Sequence, residues 1–302
     1  MRDKMSPPRS LLMALLVTVG LSGPASADDR PRVVSIGGAV TEIVYALEAQ
    51  DRLVGVDSTS LHPPAAQEVP DVGYMRRLSA EPILSLEPEM VLATADAGPG
   101  SALEQLRTAG VEVVDIPDAP SPAGVVDKVR AVAAALDIPE RGDALANRLQ
   151  RRFDRLRARL TGVGETPRVL LFLAAGRGTP MAAGTDTAGD GIIALAHGRN
   201  AVQTFTGYKP LSREAVVAAA PDILLTTRRT VEQFGGRAQL LARPELASTA
   251  AGRAGRLVVM DGLLLLGFGP RTPQAAARLA EQLHGSLEMP DLSEASVDDR
   301  GG

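Results

Sequence analysis

The sequence predicts an α/β protein built from two similar lobes joined by a single long helix, with a ligand cleft between them. Three observations carry this. Short apolar β-like runs alternate with helical patterns, one amphipathic segment stands between two such stretches, and a gapless repeat relates the stretches to each other. Strands spaced by helical segments favour sheets covered on both faces.

The elements follow in order. Arg2, Lys4 and Arg9 open the chain, an apolar run of eleven residues spans 11–21, and Ala25-Ser26-Ala27 is a small-x-small site. That order is a secretory signal peptide over 1–27, cleaved after Ala27, since the run falls short of the roughly 20 residues of a membrane span. Its removal moves the net charge from −4 to −6. A first lobe is expected over 28–139, with strands at 32–36, 53–56, 90–93 and 111–116 and helices at 41–49, 101–109 and 125–136. An interdomain helix is expected within 140–164, because Leu145, Leu149, Phe153, Leu156 and Leu160 recur on one stripe. Its other faces are rich in Arg, but interspersed Asp143 and Asp154 read as a solvated surface rather than a nucleic-acid patch. A second lobe is expected over 165–286, with strands at 169–174, 223–226 and 257–260 and helices at 188–196 and 273–284. A loose acidic tail is expected over 287–302.

The repeat sets Leu78-Ser79-Ala80-Glu81 and Pro88-Glu89-Met90-Val91-Leu92-Ala93-Thr94 against Leu211-Ser212-Arg213-Glu214 and Pro221-Asp222-Ile223-Leu224-Leu225-Thr226-Thr227, at a constant offset of 133. Before each copy stands a Gly-Tyr pair, Gly73-Tyr74 and Gly207-Tyr208. Part of Leu-Ser-x-Glu is helix-capping chemistry, yet 17 gapless positions favour a duplicated architecture. Paired lobes make a cleft, a favoured place for a ligand.

Composition removes several chemistries. The chain has 302 residues, 45% hydrophobic, with no Cys and a net charge of only −4. Disulfides, thiolate zinc sites, iron–sulfur clusters and thiol nucleophiles are excluded, and the absent Cys argues against a lipid anchor. Nothing in the charge suggests a nucleic-acid partner. Motifs for zinc peptidases, serine hydrolases, P-loops and dinucleotide binding are absent, and the glycine-rich stretch 176–180 has the wrong spacing. The expectation is that the chain is not an enzyme. His62, His197 and His284 lie far apart, the last two suited to helix C-termini. Tyr74 stands out because Arg76 and Arg77 follow it. Positive charge favours the phenolate, a hard oxygen donor suited to Fe(III), although a tyrosine packed on the lobe surface is the other reading.

Val72-Gly73-Tyr74-Met75-Arg76-Arg77-Leu78-Ser79-Ala80-Glu81 with Pro82-Ile83-Leu84-Ser85-Leu86 resembles the signature of periplasmic haemin-binding proteins of bacterial ABC-type haem uptake. The segments 205–212 and 261–273 are similar to that family as well. The resemblance implies the helical-backbone, class III substrate-binding fold and haem b, as Fe(III) haemin, as transported ligand. It implies delivery to an inner-membrane permease with its ATPase, and it leaves room for an outer-membrane haem receptor upstream. Residue by residue it implies Tyr74 as axial iron ligand and Arg76 as hydrogen-bond donor to the phenolate. Arg77, Tyr208 and Lys209 become cleft residues, and Arg228 or Arg229 a second arginine at the ligand. Glu81 and Glu214 become the permease-docking acids, one per lobe. Arg271 either binds a propionate or opens the helix that follows it. Some relatives add a histidine near 174–178, and this chain has none there, so the iron is five-coordinate or takes another sixth ligand such as Met181 or water. A cobalamin or ferric-siderophore carrier of the same fold is the alternative.

Overall fold

Parallel strand pairing organises both halves of the chain in the same way. The computed structural model describes residues 30–174, 180–210, 212–285, 287–290 and 292, and everything below concerns the unit Pro31–Gly302. The expected leader, most of the 174–178 loop, Leu211 of the repeat and most of the tail lie outside the described residues.

The first half runs β1 (Val33–Ile36), α1 (Gly38–Ala46), β2 (Leu53–Val56), α2 (Ala80–Leu84), β3 (Met90–Thr94), α3 (Gly100–Thr108), β4 (Glu112–Ile116) and α4 (Pro122–Ala135). Its sheet is wholly parallel, in the order β2-β1-β3-β4. Helix α5 (Pro139–Leu160) follows. The second half runs β5 (Arg168–Leu173), β6 (Met181–Ala183), α6 (Ala188–Leu195), β7 (Arg199–Asn200), β8 (Tyr208–Pro210), α7 (Arg213–Ala219) and β9 (Ile223–Thr227). Four short helices come next, α8 (Arg228–Gln233), α9 (Arg237–Leu241), α10 (Pro244–Ala247) and α11 (Ala250–Arg253). The chain closes with β10 (Leu257–Met260), α12 (Gly262–Leu266) and α13 (Thr272–His284). Here β7, β5, β9 and β10 pair in parallel as β2, β1, β3 and β4 do, while β6 and β8 extend β5 as an antiparallel ribbon.

Strand alternation sorts side chains into three cores, because successive residues of a strand face opposite ways. Val33, Met90, Leu92, Val169 and Leu171 face a core shared by both halves, in which the α5 stripe Leu145, Leu149, Phe153, Leu156 and Leu160 is buried. Val34, Ile36, Val91 and Ala93 face an outer core of the first half. Leu170, Phe172 and Leu224 face its counterpart in the second. Helix α5 is therefore a packed spine between the lobes.

The repeat is structural. Helices α2 and α7 begin 133 residues apart, as do strands β3 and β9 at both ends. Glu87 and Ala220, again 133 apart, both carry positive φ (47° and 42°) before the proline that leads into the strand. Arg32, ahead of β1, and Arg168, at the start of β5, each donate a backbone N–H to the acid just ahead of β3 or β9, Glu89 at 2.9 Å and Asp222 at 2.8 Å.

Two helix starts differ from the sequence expectation, one through a tertiary cap and one through a local cap. The N-terminus of α1 lies at Gly38 rather than 41, because Gly37 N–H donates to Asp57 and Gly38 N–H to the Thr59 hydroxyl, both from the loop after β2. Helix α4 starts at Pro122 rather than 125, with Ser121 accepting from Gly124 N–H and Pro at the first helical position. The ribbon β6–β8 and helices α8–α11 carry too few residues each to show a period. No helix among the described residues is long and apolar enough to cross a membrane.

Candidate functional site

The loop 73–78 follows an isolated parallel bridge between Val56 and Asp71, beside the carboxyl end of β2. Gly73 has φ 101°, outside the range L side chains favour, and its carbonyl accepts from Ser58 N–H at 2.9 Å. Ser58 lies within the 57–60 loop, where buried Asp57 accepts from Gly37, Thr59 and Ser60 and holds the loop on the start of α1. Arg77 N–H closes a turn on the Tyr74 carbonyl at 2.7 Å. Gly98 N–H donates to the Met75 carbonyl at 2.8 Å, and Leu78 N–H donates to the Gly98 carbonyl at 2.9 Å. The loop is thus fastened on both sides, and Tyr74 projects from it 42% exposed.

Arg76 donates from one terminal nitrogen to the Tyr74 hydroxyl oxygen at 3.2 Å and from the other to Asp96 Oδ2 at 2.5 Å. Burial works against the guanidinium charge, but Asp96 and the Tyr74 oxygen outweigh it and hold the pKa above its ordinary value. Asp96 sits in the turn after β3, closed by Ala97 N–H on the Thr94 carbonyl at 2.8 Å. This is the carboxyl end of a parallel sheet, the edge at which open α/β folds bind ligands.

The second lobe presents its own version. Gly207 has φ 79°, exchanging backbone hydrogen bonds with Gly184 and Thr185, and Tyr208 begins β8, 37% exposed. Crowding around its hydroxyl pushes the phenol pKa up. Gly189 N–H, the Thr187 hydroxyl and Arg76 oppose that rise, and Asp96 adds to it. Arg76 and Asp96 of the first lobe thus bear electrostatically on Tyr208 of the second. Lys209 Nζ lies 5.2 Å from the Phe205 ring centroid. Arg228 and Arg229 are exposed at the start of α8, directly beyond the carboxyl end of β9, and Arg77 is exposed beside Arg76. Met181 is half-buried at the start of β6, paired with Pro210.

Arg271 is placed differently. It stands at the N-cap of α13 and grips Glu42 of α1 through two nitrogens, one of them at 2.9 Å. The Glu42 side chain is 5% exposed. Arg271 thus opens α13 and forms an ion pair between the two lobes. Reciprocally, Lys128 of α4, 1% exposed, pairs with Asp118 and donates to the carbonyls of Gly267 and Phe268. Glu81 and Glu214 are both exposed in the first turns of α2 and α7.

Sequence reasoning missed Asp96, which belongs to no motif and lies 20 residues from the arginine it holds. It missed Lys128 too, although a lysine on the Val125–Val129–Val132 face was a legible signal. His197 and His284 come together, ring centroids 5.8 Å apart, each with Nε2 on a backbone carbonyl. Among the described residues no three His, Asp or Glu side chains are grouped to hold a metal ion.

A family model described as periplasmic binding protein matches residues 33–263. The periplasmic heme-binding protein BhuT, solved in complex with two hemes, is 44% identical, covering 85% of this chain and 99% of that one with a TM-score of 0.79. The periplasmic heme-binding protein RhuT from Roseiflexus sp. RS-1, in apo form, is 41% identical over 86% and 100% of the two chains, with a TM-score of 0.82. A vitamin B12-binding protein of Photorhabdus laumondii is 24% identical over 84% of this chain and 88% of its own length.

Proposed function

Because this chain belongs to the periplasmic binding protein family, we propose that it captures haem in the periplasm and delivers it to an inner-membrane ABC permease. The observation that carries the reading is the exposed Tyr74 phenol with Arg76 donating to its oxygen at 3.2 Å. A phenol with a pKa near 10 ligates at neutral pH only where positive charge favours the anion, and Fe(III) with Arg76 supplies it. Haem is cargo here: Tyr74 binds the iron, and Arg77, Lys209 and Arg228 offer cations to the propionates. Tyr208 lines the opposite wall. Arg271, committed to Glu42, joins the lobes. No bond of the cargo is made or broken beyond ligation, so the protein is a carrier rather than an enzyme.

The 44% and 41% identities to heme-binding proteins over nearly the whole mature chain support this cargo. The exposed acids Glu81 and Glu214, one per lobe at equivalent positions, suit docking on a two-fold permease. An outer-membrane receptor stands upstream in this reading, and the leader over 1–27 exports the protein. A cobalamin cargo is the alternative, favoured by the resemblance to a vitamin B12-binding protein. Haemin titration, with cobalamin and a ferric siderophore as competitors, decides between them. The expected result is a ferric phenolate-type visible spectrum that disappears in Tyr74→Ala. Preference for cobalamin, or a spectrum indifferent to Tyr74→Ala, overturns the reading.

A further inference from the structure

A Gly-Tyr loop precedes each copy of the repeat, yet only the first puts a guanidinium on its phenol; the Tyr208 hydroxyl takes the Gly189 N–H and the Thr187 hydroxyl instead. Two residues beyond Tyr74 stands Arg76; two residues beyond Tyr208 stands Pro210, which has no side-chain donor. The turn after β3 carries Asp96, while the position 133 residues later, after β9, is Arg229. Resting on the haem reading above, we infer that Asp96 is a positioning residue for cargo capture. By holding Arg76 against the Tyr74 oxygen, it makes Tyr74, rather than Tyr208, the phenol that takes the iron.

The geometry supports each step. Arg76 and Asp96 are both more than half exposed, so a lone arginine there would spread over many rotamers, and a second anchor is needed to keep one nitrogen on the phenol. Asp96 supplies that anchor at 2.5 Å. The acid is itself held from the interior. Its turn closes on Thr94, whose hydroxyl donates to Asp118 Oδ2 at 3.0 Å, and Asp118 pairs with buried Lys128. That carboxylate fastens the donor at Tyr74, while near Tyr208 its negative charge is opposed by the positive charge of Arg76 itself. Burial around Tyr208 works in the same direction as the carboxylate.

The test is a double-mutant cycle with haemin, using wild type, Asp96→Asn, Arg76→Gln and the double variant. Affinity and the ferric charge-transfer band are both read. Asp96→Asn weakens haemin binding roughly five- to tenfold and shifts the band, Asp96→Glu restores most of both, and in the Arg76→Gln background Asp96→Asn costs less than about twofold. An Asp96→Asn protein with unaltered band and affinity overturns the inference. So does an equal loss with and without Arg76, which would make Asp96 a merely structural acid. A wild-type haemin spectrum that ignores Tyr74→Phe overturns the haem reading and this inference together. A Tyr74-dependent spectrum that ignores Asp96→Asn overturns the inference alone.

Discussion

The loop at Tyr74 and the loop at Tyr208 are the same backbone idea carried out with different chemistry. Both place a positive-φ glycine ahead of a partly exposed tyrosine, and both lead into repeat helices and strands 133 residues apart. Around Tyr74 the side chains build an acid–guanidinium–phenol chain on a loop tied to the core. Around Tyr208 they build a strand edge closed by Pro210, with Lys209 turned over Phe205. On the haem reading, a duplicated scaffold gives two walls of one cleft, and the partner of each phenol, not the fold, would make one wall the iron side. The largest expected effect tests this directly. Tyr74→Phe costs haemin affinity about hundredfold or more and abolishes the phenolate band, whereas Tyr208→Phe costs about threefold and leaves the band. Comparable losses, read by haemin titration, would break the asymmetry.

The comparison also requires the two walls to be held in register. Lys128 of the first lobe reaches carbonyls of the second, and Arg271 of the second reaches Glu42 of the first. Truncating one member of a buried pair strands its partner, at a cost of about 3–5 kcal/mol. Lys128→Met is expected near the low end of that range, because Asp118 is partly exposed and keeps Thr94. Exposed Arg130→Met, which frees only Asp143, costs less than about 1 kcal/mol. Urea unfolding of both variants measures the gap. A smaller pair of effects tests the loops themselves. No atom lies within 4 Å of a Cβ added at Gly73 or Gly207, so Gly→Ala at each adds strain only through positive φ, about 1–2 kcal/mol. On the haem reading, only Gly73→Ala should also weaken haemin binding, since it precedes the tyrosine proposed to bind the iron.

How much of this was legible in the sequence depended on whether the signal was periodic or tertiary. The α5 stripe, strands β2 and β10 and the repeat were readable, because burial on one face imposes a period and duplication imposes an offset. The strands β6, β7 and β8 were not, since two or three residues cannot display alternation and Pro210 argues against a strand except at an edge. Helix α1 starts early through an acid 20 residues away in the chain, and no local capping rule could reveal that. Tyr74 and Arg76 were legible because they are neighbours in sequence. Asp96 and Asp118 were not, because only tertiary packing brings them to Arg76 and Lys128; Lys128 itself, a lysine on an apolar helix face, was a signal passed over.

The smallest effect concerns the bases of the two sheets, where the lobes again differ by one charge arrangement. Arg168 pairs its guanidinium with Asp222 at 3.3 Å, whereas the equivalent Arg32 spends its guanidinium on the carbonyls of Leu86 and Glu87. The Arg168 hydrogen bonds, opposed only in part by burial, hold the Asp222 carboxyl below its ordinary range. A folded pKa below the unfolded value means stabilisation that is fully present above the unfolded pKa, near 3.9, and is lost as pH falls through the folded value. Asp222 is 42% exposed, so screening limits the effect at neutral pH to well under about 1 kcal/mol. Asp222→Asn should therefore lower the thermal midpoint slightly at pH 7 and not at all well below pH 3, so the two melting curves converge in acid. Glu89→Gln alters an acid that accepts the Arg32 backbone N–H but carries no Arg32 guanidinium, and should lower the midpoint at pH 7 by less. If the two substitutions behave alike, the charge arrangement at the sheet bases does not distinguish the lobes.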